Sequence, residues 1–356
     1  MKRVMLIMLV AFMLVFFAAC SDTPADTLDG EEGANEVTEA EGDSAGEEAS
    51  EEANGGELTP VTLVLDWTPN TNHSGAYVAQ ALGYFEEQGL DVEIIEPGDN
   101  LALQLVAAGQ ADFGYSYQEE VTYGRVAGMP VVSLAAVIQH NTSCFAAPVE
   151  NGVATVADFS GKTYGSWGGE VEEALLDYLV EQEGGEPATK INIGSSDFFA
   201  ATQDGGIDFS WVYYATTGIE AELRGVELDT IFLKDIDSTF DYYTPVIVAS
   251  EDFLAENGDL TGRFMTALSQ GYCYCDANPA EAAEILLAAN EGLDAELIQA
   301  GQEWIAGQYQ AEAPYWGYQD AEIWNSFSQW LIDRGLIEDG FVAEDAFTND
   351  YLPQGE

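Results

Sequence analysis

The 356-residue chain carries two histidines, His73 and His140, and neither has a His or Glu three or four residues away to build a helical metal site. No G-x-S-x-G elbow is present. The run SGKT (Ser160–Thr163) resembles the end of a phosphate loop, but Val156 stands where that loop needs glycine. Carboxylate pairs such as Glu119–Glu120 and Glu172–Glu173 have the right type for acid–base work, yet they belong to a total of 64 acids and read as solvated faces. No catalytic, metal or cofactor site is therefore expected. The aromatic residues say more. Trp67, Tyr115, Tyr117, Trp167, Tyr213, Tyr214, Tyr242 and Tyr243 fall at the ends of short apolar runs, where ring faces could sandwich a flat heteroaromatic ligand. Asn70, Asn72, His73, Gln118, Asn141 and Ser143 could bond its edge. An anionic ligand would want Arg, Lys or a helix N-terminus. The seven bases of the body (Arg125, Lys162, Lys190, Arg224, Lys234, Arg263 and Arg334) all lie outside these loops, so a neutral or weakly cationic ring is favoured.

The elements that must place these residues alternate. VTLVLDW, LDVEII, ADFGYSY and PVVSLAAVIQ read as strands separated by helical segments such as SGAYVAQALGYFEEQG. GKTYGSW, KINIGS, IDFSWVYY and LDTIFLKD repeat the arrangement in a second unit, and four helical segments follow from Ser250. Such alternation predicts an α/β fold of two lobes, each a mostly parallel sheet flanked by helices, with a helical C-terminal part. Ligands of such sheets bind beyond the carboxyl ends of the strands, where the aromatic residues fall.

A formal net charge of −55 argues against nucleic acid or an anionic membrane surface as partner, and suits salty surroundings. Residues 1–19 read as an export signal, with Lys2 and Arg3 before an apolar run that ends in FAAC. Small residues before Cys20 resemble a lipobox, which makes Cys20 the expected lipid anchor. Residues 20–57 hold no aromatic and no base, and read as an acidic disordered tether spanning about 35 Å. Of the remaining cysteines, Cys273 and Cys275 are two apart in a helical segment, a poor chelating geometry, and read together with Cys144 as buried small residues.

The strings LDWTPNTNHSGAYVAQALGYFEEQGLDVEII, AAGQADFGYSYQEEV, GMPVVSLAAVIQH, YQAEAPYWGYQD and AFTNDYLP resemble the solute-binding proteins of ABC importers, in the branch related to thiamine-pyrimidine-precursor binding. The resemblance runs from about residue 60 to the end. It implies a periplasmic-binding-protein fold of class II, with residues 58–148 and 246–356 in lobe 1 and 149–245 in lobe 2. It implies a monomer that delivers a small heteroaromatic ligand to an ABC permease and cytosolic ATPase. The ligand would be an aminopyrimidine of the hydroxymethylpyrimidine or formylaminopyrimidine type, with riboflavin or a sulfonate-type solute as the alternative. Trp67, Asn70 and His73 match the family's first binding loop, and Tyr115, Tyr117 and Gln118 its second. Trp67 with Tyr115, Tyr117 or Tyr214 would stack, and Asn70 and His73 would bond the ring edge. Trp167, Glu173, Tyr214 and Tyr243 complete the expected site. Thr216 and Thr217 stand where relatives tend to carry Trp and an acid, a role left to Glu170 or Glu173. The same superfamily contains the thiamine-pyrimidine synthase that consumes its own histidine. Glu120 and Ser116 occupy the positions of its histidine and lysine, and TFDYYTP replaces its cysteine cluster, so a binder without enzyme activity is expected.

Overall fold

The computed structural model describes residues 57–354 apart from 99, 195 and 204. The export segment, Cys20 and nearly all of the acidic tether lie outside the described residues. No helix among the described residues is long and apolar enough to cross a membrane.

Ten strands form two five-stranded sheets: β1 (Thr59–Val64), β2 (Leu90–Ile95), β3 (Phe113–Ser116), β4 (Val131–Ala136), β5 (Ser143–Pro148), β6 (Thr163–Ser166), β7 (Thr189–Asn192), β8 (Phe209–Tyr213), β9 (Leu228–Phe232) and β10 (Val246–Ser250). The first sheet has the order β2-β1-β3-β10-β4 and the second β7-β6-β8-β5-β9. The two orders are equivalent: β1 answers to β6, β3 to β8 and β10 to β5. In each sheet four strands run one way, and the fourth-placed strand pairs antiparallel with both of its neighbours. Those reversed strands, β5 and β10, are the two that the sequence analysis does not assign. Each is a run of five or six mostly apolar residues, too short for its periodicity to identify it.

Both faces of each sheet are covered. Along β10, Ile247 and Ala249 enter one core and Val246 and Val248 the other. Along β5, Phe145 and Ala147 face away from Cys144 and Ala146. That period of two, with every residue buried, is what a sheet sandwiched between helices requires.

The chain crosses between sheets twice. Because β5 pairs with β8 and β9, the first crossing lies between Ala136 and Ser143, ahead of the expected boundary at 148/149. Helix Ala321–Asp333 is also not confined to the first lobe. Phe327, Trp330 and Leu331 pack with Phe145 and Tyr242 in the second lobe's core, while Trp324 packs with Val248. Cys144 and Cys275 are buried, but Cys273 is exposed, and all three are free thiols. Position 273 turns outward because helix Glu251–Ala277 buries Tyr272 and Cys275 instead.

The crossings lie side by side. The Val137 N–H donates to Pro245 O at 3.0 Å, and the Asn141 N–H to Asp241 Oδ1 at 2.8 Å. His140 sits between two acids, with Nδ1 2.6 Å from Asp241 on the second crossing and Nε2 3.0 Å from Glu312. The hydrogen bond to Asp241, opposed by burial and reinforced by Glu312, raises the imidazole pKa to about 9. A pKa raised on folding gives stability that is complete below about pH 6.5 and lost as pH rises through about 9. His140→Gln should therefore lower the melting temperature between about pH 6 and 8, and the difference from wild type should fade above about pH 9.

Helices Ser74–Ala81 and Glu251–Ala277 cross at bare glycines. A Cβ on Gly271 would overlap the Gly75 carbonyl, and one on Gly75 would overlap the Tyr272 ring. Gly271→Ala should cost at least about 2 kcal/mol in denaturant unfolding through overpacking. Gly262→Ala, on the same helix with open space around it, should cost nothing or stabilise by up to about 1 kcal/mol.

Candidate functional site

In each sheet the strand order reverses beside the first strand, at β1/β3 and at β6/β8, and ligands of open α/β sheets bind beyond strand ends at such a point. The chain just past β1 forms a turn fixed from below. The Asn70 Oδ1 accepts the Asn72 N–H at 2.9 Å, and the Asn70 N–H points to His73 Nδ1 at 3.2 Å. That leaves His73 Nε2 to donate to Asp66 Oδ1 at 2.5 Å. His73 is fully buried, edge-on to Tyr115 with ring centroids 4.8 Å apart. The buried Tyr115 hydroxyl bonds that of Tyr272 at 2.7 Å, and Tyr272 donates to Asn72 O at 2.6 Å. Burial acts to raise the Asp66 carboxyl, but His73 and the Tyr117 hydroxyl outweigh it and hold the group below the usual carboxylate range. Trp67 projects from this support, 60% exposed.

Past β3 the chain enters helix Gln118–Val126. The buried Gln118 side chain accepts the Tyr243 N–H at 2.9 Å, while the Gln118 backbone N–H donates to Tyr243 O at 3.1 Å. The Tyr243 hydroxyl accepts the Asp320 N–H at 2.9 Å. His73, Tyr115, Gln118 and Tyr243 thus lie under the surface, with their polar atoms used by the fold. They hold the strand ends in place.

The acids beside them correct a second expectation. Glu119 is half-buried, and its Oε2 is shut away from water with no hydrogen-bond partner. Burial, with Glu120 adding to it, pushes its carboxyl up to about 8. Glu120 accepts the Ser116 hydroxyl at 2.8 Å and is also raised, chiefly by burial. So the two positions that separate this chain from the synthase bond to each other.

From the second lobe, Glu172 shapes the turn after β6. It accepts the Tyr164 hydroxyl at 2.5 Å, the Trp167 N–H at 3.1 Å and the Gly169 N–H at 3.2 Å. Gly168, at φ +93°, permits the turn. The Trp167 indole donates to Trp211 O at 2.8 Å, which pins a side chain that remains 44% exposed. Glu173 is occupied by Ser166 at 2.8 Å and by Lys190 at 3.7 Å. Tyr213 ends β8 and Tyr214 opens the helical turn that follows it, Tyr214–Gly218. Tyr214 bonds Glu222 at 2.5 Å and packs on Trp304 and Phe232. Tyr213 faces Thr244 and the acids, and burial with the charges of Glu119, Asp66 and Glu120 raises its hydroxyl. The two neighbouring rings thus have different surroundings, Tyr213 beside Thr244 and Tyr214 beside Trp304.

Trp67, Asn70, Tyr117 and Trp167 thus remain at accessible or half-buried strand ends, and Asp66, Glu119, Glu120 and Tyr213 join them. Among the described residues no Lys or Arg forms an ion pair with Asp66, Glu119 or Glu120. The bases pair elsewhere, Arg125 with Glu251, Lys190 with Asp177 and Arg334 with Glu181. The acids were legible as types in the sequence but not as buried ones.

Two lobes of equivalent topology, joined by two crossings, with aromatic side chains where their strands end, define the class of two-lobed solute-binding folds. The aliphatic sulphonate-binding protein SsuA of Escherichia coli has the same fold, with a TM-score of 0.63 over 83% of this chain and 94% of that one at 16% identity. Residues 70–282 match the family described as NMT1/THI5 like, and the chain belongs to that family. It is 31% identical over 301 residues to the formylaminopyrimidine-binding protein of Halalkalibacterium halodurans, covering 82% of this chain and 90% of that one. It is 26% identical to riboflavin-binding protein RibY of Chloroflexus aurantiacus, over 84% of this chain and 87% of that one. Proteins named as pyrimidine phosphate synthases are relatives too, at 24% identity.

The site separates support from contact, and stability measurements should show it. His73→Ala leaves the Asp66 carboxylate buried without its partner and should cost about 3–5 kcal/mol in chemical denaturation. Trp67→Ala, at an exposed position, should change stability by no more than about 0.5 kcal/mol.

Proposed function

We propose that this protein is an extracytoplasmic solute-binding lipoprotein that captures a thiamine pyrimidine precursor and delivers it to an ABC permease driven by a cytosolic ATPase. The precursor is an aminopyrimidine of the formylaminopyrimidine or hydroxymethylpyrimidine type. Capture is by closure of two lobes about their paired crossings, with no covalent step. Cys20 carries the lipid, and the acidic stretch after it tethers a monomer to the outer face of the membrane.

The observation that carries the ligand class is the chemistry of the strand ends: three carboxyl groups, several rings and, among the described residues, no Lys or Arg paired with them. An anion would find no Lys or Arg there, whereas an aminopyrimidine offers N–H donors to the acids and a face to the rings. Trp67 and Trp167, one on each lobe at equivalent strand ends, are the stacking pair in this reading, with Asn70 and Tyr117 at the edge. The name of the Halalkalibacterium relative supports the same class. Ser116 and Glu120 in place of a lysine and a histidine support binding without turnover.

The test is a ligand panel in thermal-shift and calorimetric assays on the purified protein. A 4-amino-2-methylpyrimidine should raise the melting temperature and be recovered unchanged, while alkanesulfonate and nitrate should have no effect. Trp67→Ala should weaken that binding at least about fivefold, the worth of one lost stacking contact. A response to riboflavin alone would move the ligand to the larger ring system, and a response to sulfonate would end the proposal.

A further inference from the structure

Glu119 is half-buried, and the buried part is its charged end. It lies in the first turn of helix Gln118–Val126, next to the Gln118 that bonds Tyr243 on the second crossing, and its buried carboxyl oxygen Oε2 has no partner. The Tyr123 hydroxyl, one turn on along the same helix, has no partner either. Buried polar atoms are almost always bonded, so two unpaired ones on one helix face point to something that completes them. The groups around Glu119 are Glu120 and Tyr123 on its own helix, Tyr213 from β8 and Tyr242 from the second crossing. Asp66, from the loop after β1, bears on Glu120 and Tyr213. None is a cation. A carboxyl so placed keeps its proton at neutral pH, and burial pushes its pKa up to about 8. It therefore presents both a donor and an acceptor, which no other acid around it does without giving up an existing bond: Asp66 is held by His73 and Glu120 by Ser116.

We propose that Glu119 is the specificity-determining residue of the cleft, its carboxyl pairing with the ring nitrogen and adjacent amino group of a weakly basic heterocycle. The inference rests on the functional reading above and names the group that enforces it. One carboxyl oxygen accepts the amino N–H, and the carboxyl proton is shared with the ring nitrogen. The proton is already on Glu119 in the free protein, so none is gained or lost when a neutral ligand binds at pH 7. Above the carboxyl's own pKa the free protein lacks that proton, and binding must take one up from solvent. Affinity is thus level up to about pH 8 and falls roughly tenfold per unit beyond it. A sulfonate or carboxylate ligand has no donor edge to offer and meets Asp66 and Glu120 as like charges.

Calorimetry with 4-amino-2-methylpyrimidine and with 2,4-dimethylpyrimidine, which lacks the amino group, tests this. Glu119→Leu, which removes both bonds, should weaken the aminopyrimidine by about 10- to 100-fold at pH 7, the worth of two neutral hydrogen bonds, and the dimethyl compound by less. Glu119→Gln, whose amide offers the same acceptor and donor with no proton to lose, should stay near wild type at pH 7 and lose the decline in affinity above about pH 8. Wild-type titrations in two buffers of different ionisation enthalpy should show uptake of about one proton at about pH 9.5 and none at about pH 7. This last measurement needs no variant, so it decides the matter even if Glu119→Leu folds poorly. Wild-type binding with no proton uptake at about pH 9.5, or equal affinity in a folded Glu119→Leu, overturns the role of Glu119 and leaves the functional reading standing. Absence of aminopyrimidine binding by the wild type overturns that reading and this inference together.

Discussion

Each sheet of this protein is completed by a strand that has just arrived from the other lobe. β5 follows the first crossing and inserts between β8 and β9, and β10 follows the second and inserts between β3 and β4. Both are interior strands, so neither sheet can close until the chain has crossed. The first sheet cannot be finished until the whole second sheet has been made. The reversed direction of β5 and β10 is a consequence of that order, since a strand entering from the crossing side must run against strands that end there. The same constraint brings the two crossings together and gathers the strand ends of both lobes around them.

The electrostatics follow from that gathering. A chain with 64 acids and 9 bases must leave most carboxylates in water, and the ion pairs it does make are largely exposed and of small worth. At the crossings water is displaced, and each buried acid there has a distinct environment. Asp66 is bonded by an imidazole and stays depressed, whereas Glu119 has no such partner and is raised. His140, flanked by Asp241 and Glu312, gains a proton affinity it would not have in solvent. The local field around each group, more than the net charge, sets its chemistry.

Rings serve two purposes in the same small region. Tyr115, Tyr272 and Tyr309 are buried; Tyr272 and Tyr309 spend their hydroxyls on the loop after β1, where Tyr309 donates to Thr71 O at 2.6 Å, and Tyr115 spends its own on Tyr272. Trp67 and Trp167 stay exposed on top of such supports. An exposed ring held on a rigid base loses little freedom on meeting a ligand, which is the advantage of preorganisation.

Much of this was legible in the residues. Alternating strand and helix runs determined an α/β fold of two units, because side-chain periodicity is a local property. The aromatic strand ends and the scarcity of bases were legible in the same way, as residue types at predictable places. That Tyr214 packs on Trp304 while Tyr213 lies by Thr244, and that His73 holds Asp66, was decided only by tertiary structure. Those outcomes depend on register and on partners two hundred residues distant, as in the bond from Tyr272 to Asn72. The pair Glu119–Glu120 shows the limit most clearly: the sequence supplies two adjacent acids among many, and only packing against the second lobe removes water from one of them.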